Sequence, residues 1–268
     1  MGQRIGTEGY GWIPRYYASE KIGYVLGDAS NAYGKVISPL WLTRGEQSEV
    51  HYTPENGWDE NHVKTFRRHI VNLGKTGLIF IYDELVADEP VNWSYLLHTT
   101  ENPMTVDQSN HRFVHIQATN RGGASDAYLF STGTLQTDTT SRFFYPAVNW
   151  LRADDKGVFK KYPNHWHFSS TTVPCKTARF LTVMDTHGDN RPDMQVVRKG
   201  NTIQVGDWTI TCNLTEKGKA AIYVSNKTEK VSLNYDAGKK EGATIVTDQV
   251  KGKQVNKVLT DYLPDFEI

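Results

Sequence analysis

Cysteine is nearly absent from this chain. Cys175 and Cys212 are too few for a disulfide framework and have no metal-ligand spacing, although one bridge between them stays open. Net charge is absent as well: 30 basic side chains balance 30 acidic ones, so no overall field draws the protein to nucleic acid or to an anionic membrane. A neutral partner or a local patch is left. No run approaches the roughly 18 apolar residues of a membrane span. The opening Met1-Gly2-Gln3-Arg4 carries no apolar signal-peptide core. Helical periodicity is almost nowhere. There is no Gly-x-Ser-x-Gly elbow and no cysteine beside a base, which removes the usual activated nucleophiles. The glycines from Gly6 to Gly11 lack the strand-before, helix-after context of a phosphate loop.

Aromatic residues, by contrast, are abundant. They make up 12% of the chain, with 7 Trp and 14 Tyr, more than a β core alone calls for, and their flat faces stack on sugar rings as readily as on core neighbours. The stretch from Val63 to His98 sets the pattern. Phe66, Arg68 and Ile70 alternate with Arg67, His69 and Val71, the period of two expected of a strand. Gly74-Lys75-Thr76-Gly77 reads as a turn. Leu78 to Tyr82 is apolar at every position, which suits a strand covered on both faces. A loop is expected at Asp88-Glu89-Pro90, then another alternating strand to His98.

Around this centre the pattern repeats. Pro14 confines Tyr10 to Tyr17 to an edge strand or an irregular crossing. Strands follow at Lys21 to Leu26 and Val36 to Leu42, and Gly27 to Gly34 reads as a turn or one helical turn. Thr43 to Asn61 reads as a long exposed loop. Further strands are expected at His111 to Thr119, Ala127 to Ser131, Trp166 to Thr172 and Arg179 to Met184, with an irregular stretch from Phe143 to Gly157. His187 to Asp193 is the strongest loop signal of the second half, and beyond it strands are short and regularly spaced. The expected fold is all-β: a large antiparallel two-layer β-sandwich over residues 1–190, then a small C-terminal β module over residues 191–268, with little helix.

Two constellations carry candidate chemistry. In His165-Trp166-His167 the two imidazoles share a face of one strand and could grip a metal ion. No third ligand stands nearby, and paired histidines without one are more often hydrogen-bonding sheet residues; a sugar contact through Trp166 and either histidine is the broader alternative. In Asn149-Trp150-Leu151-Arg152 a stacking ring adjoins a guanidinium able to fork a uronate or sulfate, although Arg152 and Asp154 could equally form a loop ion pair. Trp150, Arg152, His165, Trp166 and His167 are therefore the carbohydrate-contact candidates. The residues themselves name no catalytic or metal-binding set.

Several stretches taken together resemble the C-terminal half of heparinase II/III-like polysaccharide lyases. They are Gly23 to Tyr33, Phe66 to Val71, Ile79 to Leu85, Leu96 to His98, Pro146 to Trp150, Asn164 to Phe168 and Arg179 to Met184. Their order and spacing make the likeness. It implies an α/α-toroid preceding this β-sandwich in a secreted or periplasmic parent enzyme that cleaves acidic, uronate-containing polysaccharide by β-elimination. The family's zinc ligands lie in a His-x-Asp stretch that this sequence lacks, so no cofactor is expected in this chain, and whether it is an enzyme by itself is left open. The expected partners are the acidic polysaccharide, the toroid and, through an unprotected edge strand, a second copy. The alternatives are a stand-alone carbohydrate-binding sandwich, using Trp150, Arg152 and Trp166, or a purely structural domain.

Overall fold

The computed structural model describes residues 11–33, 62–100, 102–110, 113–141, 148–161, 165–188, 194–239 and 243–262. The strand expected at Val36 to Leu42 and the loop at Thr43 to Asn61 lie outside them. Among the described residues every sheet is antiparallel and the one helical element is a 3₁₀ turn, Ser30–Ala32. The expected all-β architecture is what the chain adopts.

The central layer is an eight-stranded sheet in the order β1-β2-β3-β4-β13-β8-β7-β6. Its strands are β1 (Trp12–Ala18), β2 (Gly23–Asp28), β3 (Val63–Asn72), β4 (Leu78–Val91), β6 (Thr105–Asp107), β7 (Val114–Asn120), β8 (Gly123–Ser131) and β13 (Cys175–Gly188). Pro14 lies on the edge strand β1, where its missing N–H costs no ladder bond. The β3–β4 turn bends through Gly74 (φ 58°) and Gly77 (φ 80°). A Cβ on Gly77 would sit 2.2 Å from the Thr186 carbonyl oxygen, so only glycine fits there.

On one face of this sheet lies a three-stranded sheet, β5 (Ser94–Thr100), β12 (His165–Thr172) and β9 (Leu135–Thr140), in the order β5-β12-β9. On the other lies a seven-stranded meander: β14 (Val196–Lys199), β15 (Thr202–Val205), β16 (Trp208–Cys212), β17 (Ala221–Asn226), β18 (Val231–Asp236), β19 (Thr244–Val250) and β20 (Lys253–Leu259). A separate ribbon joins β10 (Val148–Ala153) and β11 (Phe159–Lys161). The chain passes from the central sheet to the meander after Gly188, the last residue of β13.

Two apolar cores follow from the two coverings. Ile22, Tyr24, Phe80, Tyr82, Leu181 and Val183 of the central sheet pack with Ile210, Val224, Leu233 and Tyr235 of the meander. Leu85, Ala127, Leu129 and Phe180 on the opposite face pack with Tyr95 and Phe168 of the small sheet. Each fully buried side chain of this size contributes about 1.5–3 kcal/mol by leaving water. Leu78, Phe80 and Tyr82 are buried while Ile79 and Ile81 are half-buried; from Asp83 to Leu85 both faces are covered, because the small sheet lies over that half of β4.

Polar links tie the meander down. The Tyr82 hydroxyl donates to the Asn213 carbonyl at 2.9 Å, and the Arg179 guanidinium donates to the carbonyls of Thr215 and Gly218. The loop expected at Asp88–Pro90 is instead a bulged continuation of β4: its pairing with β13 skips from Val86 to Val91, and Pro90, which has no N–H to give, falls in that gap.

Candidate functional site

A cleft of about 990 Å³ opens where the small sheet stops covering the central one. Strand β2 ends at Asp28, whose carboxylate accepts the Ser30 amide at 2.9 Å and so starts the 3₁₀ turn. The Ser30 hydroxyl in turn accepts the Phe66 amide at 2.9 Å, and the Ala29 amide donates to the Phe66 carbonyl at 2.8 Å. These bonds pin the turn to β3 and bring the Tyr33 ring to 4.9 Å from Phe66, with Trp93 a further 6.3 Å beyond Phe66. Trp93 is buried and donates its indole N–H to the Cys175 carbonyl at 3.2 Å. Ile13 and Leu96 are exposed at the rim.

Strand register sets the charges. Asp28 lies opposite Arg67, and Arg68 opposite Asp83, so each guanidinium meets a carboxylate across the ladder. Arg68 forks onto Asp83 at 2.7 and 2.9 Å, and Arg67 holds Asp28 at 2.7 Å. Burial pushes the Asp28 carboxyl up, but the hydrogen bonds from Ser30 and Arg67 outweigh it and leave the group below its ordinary value. His62, at the mouth, faces Asp88 at 3.0 Å.

The expected candidates lie elsewhere. His165, Trp166 and His167 are on β12, and alternation separates them. Trp166 turns inward beside Phe168 and packs against the core beneath the small sheet. Its ring stays partly exposed and lies on the opposite face of β12 from the two histidines. The structure brings His167 opposite His98 of β5, with ring centroids 4.4 Å apart and edge-on. Burial lowers the His98 pKa, and its neighbours His167 and His165 lower it further. Among the described residues no group of three or more His, Cys, Asp or Glu side chains has a metal-holding arrangement. Trp150 and Arg152 are on β10, and their side chains lie outside the described residues.

Two further polar clusters are structural. His69 is fully buried between the central sheet and the meander, where the Tyr24 hydroxyl meets its Nδ1 at 2.9 Å and its Nε2 stands 3.9 Å from Glu84. Tyr235 donates to the same carboxylate at 2.8 Å. Burial dominates and lowers the His69 pKa despite Glu84. Arg67 and His69 therefore share the meander-facing side of β3, which is not the solvated face that their polarity alone implies. At the other end of the sheet, buried Asp126 accepts from His115 Nε2 at 2.7 Å, Gln117 at 2.8 Å and His187 Nε2 at 3.1 Å. Burial raises that carboxyl, and these three donors more than reverse the effect.

Phe66, Arg68 and Asp83 fall within the stretches that carry the resemblance, but only strand register shows that Arg68 and Asp83 meet. The signal was there in the alternation of opposite charges on neighbouring strands, but pairing partners cannot be read from one strand alone.

Fold and cleft together define a layered antiparallel β protein with an aromatic, ion-paired groove. No family model matches the chain, and no curated protein matches it. Among solved structures it is similar to the heparan sulfate lyase HepC from Pedobacter heparinus, at 9% identity, and to a mutant of that enzyme, at 10% identity, with a TM-score of 0.40 in both. Each match covers 94% of this chain but only 28% of the other, so the chain spans less than a third of the length of those lyases. At that score the likeness carries no argument about activity.

Proposed function

We propose that this chain is the β-sandwich portion of a heparinase II/III-like polysaccharide lyase and supplies one wall of the cleft that holds an acidic polysaccharide. One observation supports this reading above the others: five of the seven segments that carry the sequence resemblance contribute residues to this cleft. Asp28 and Tyr33 come from the first of them, Phe66 and Arg68 from the second, Asp83 and Leu85 from the third, Leu96 from the fourth and Phe180 from the last.

On this reading β-elimination needs a base for the C5 proton, an acid for the leaving oxygen and a group that neutralises the uronate. The resemblance assigns most of these to a toroid in a secreted or periplasmic parent, so the sandwich binds and orients polymer without completing the reaction. The test is to offer purified chain hyaluronan, heparan sulfate, chondroitin and alginate. Binding and the ultraviolet absorbance of an unsaturated uronate are followed in parallel. The expected result is binding of at least one acidic polymer without turnover, and Phe66→Ala weakens it. A folded chain that binds none of them refutes the proposal, and turnover by the chain alone refutes its division of labour.

A further inference from the structure

The charge arrangement of the cleft bears on which sugar it takes. Arg68 is the guanidinium that lines it, and both of its bonds to Asp83 are made within the protein. Asp83 is only 3% exposed. The Arg68 side chain is 45% exposed, but a ligand carboxylate that drew it away would leave the buried Asp83 carboxylate without its counter-ion, a cost that an exposed ion pair does not offset. Arg67 is committed to Asp28 in the same way. Among the described lining residues, therefore, no Lys or Arg charge lacks a carboxylate partner in the protein. What the cleft does offer is the partly buried aromatic pair Tyr33 and Phe66, backed by the buried Trp93, apolar rims at Ile13 and Leu96, and a guanidinium–carboxylate pair. A pyranose has apolar ring faces to lay against the first and hydroxyl groups to exchange hydrogen bonds with the last.

We infer that the cleft is a subsite for an uncharged pyranose, so that in an acidic polymer of alternating composition it holds the neutral sugar and leaves the uronate outside. The inference rests on the polysaccharide reading above and sharpens it. A polymer made only of uronates cannot place a neutral ring in the cleft, whereas one that alternates uronate with an uncharged sugar can.

The test compares purified chain binding to an N-acetylglucosamine tetramer, a hyaluronan oligosaccharide and an alginate oligosaccharide of equal length, by calorimetry at low and high salt. The tetramer and the hyaluronan oligomer are expected to bind, with tetramer affinity unchanged within about twofold by salt because no charge is matched. The alginate oligomer is expected to bind at least about tenfold more weakly than hyaluronan. Asp83→Asn releases Arg68 and is expected to raise alginate affinity about tenfold, an increase that salt abolishes. If that variant does not fold, the wild-type comparison of the three probes decides by itself. Alginate binding as tight as hyaluronan binding overturns the subsite while leaving the acidic-polysaccharide reading intact. So does a folded Asp83→Asn protein with unchanged alginate affinity. Failure to bind any of the three overturns the inference, and the polymer panel above then shows separately whether the lyase reading survives.

Discussion

The two faces of the central sheet are made by the same alternating strands and reach opposite states. The meander covers one face with seven strands and encloses polar groups there, with Tyr24 bonded to His69 Nδ1 and Tyr235 to Glu84. Three strands cover the other, and the uncovered part is the cleft. On the sealed face burial governs protonation: His69 is held neutral, and the hydroxyl pKa values of Tyr24 and Tyr235 are pushed well up. On the open face pairing governs charge, through Arg68 and Asp83. Stability is thus concentrated on one side of a sheet and binding chemistry on the other.

The sharpest way to break this contrast is Phe80→Ala, which empties a fully buried site on the sealed face. It should cost about 3–5 kcal/mol in denaturant unfolding; a loss below about 1 kcal/mol would mean that the two sheets are not closely packed there. Tyr235→Phe removes the hydroxyl donor to Glu84 inside the same layer and should cost about 1–3 kcal/mol.

Acid should separate the two mechanisms. The folded His69 pKa lies below that of the unfolded chain, about 6.5, so as pH falls through that value the unfolded state takes up a proton that the folded state resists. Stability then declines toward the lowered folded value. The carboxylates of Asp28 and Asp126 are held below their ordinary values in the fold. Their contribution is present above about pH 4 and disappears as pH falls further. Thermal melts at stepped pH should therefore show two declines, and His69→Gln should shrink the upper one, leaving the part due to His98, without changing the lower. On the open face, Phe66→Ala should move the denaturant midpoint less than Phe80→Ala does and yet lower hyaluronan affinity about tenfold. The smallest effect is expected at the surface pair Lys21–Glu229, 2.7 Å long, where Lys21→Ala should cost less than about 1 kcal/mol.

Much of the fold was legible in the residues because β alternation is a local signal. The turn at Gly74 to Gly77, the edge position of Pro14 and the strand Thr202–Val205 all follow from neighbours within a few positions. The strands β9 and β20 were not foreseen, since Leu135–Thr140 is mostly polar and Lys253–Leu259 mostly polar and exposed, and their ladders come from partners far along the chain or across a tight turn. The site was less legible than the fold. His69 looked like a surface residue until the meander was laid over it. His98 became a neighbour of His167 only through register. That Trp166 shares a face with Phe168 and not with the histidines follows from alternation, but which face the central sheet covers does not.

One feature of the topology bears on how the protein is made. Strand β13 lies between β4 and β8 and completes the central sheet by pairing with both. A ribosome must therefore deliver Cys175–Gly188 before the sheet can close, and until then β4 and β8 each offer an unpaired hydrogen-bonding edge to other nascent chains. The meander, by contrast, pairs each strand only with its sequence neighbour and can form as fast as it emerges. The interval between the synthesis of β8 and that of β13 is thus the one in which the sheet that carries the cleft has open edges inside it.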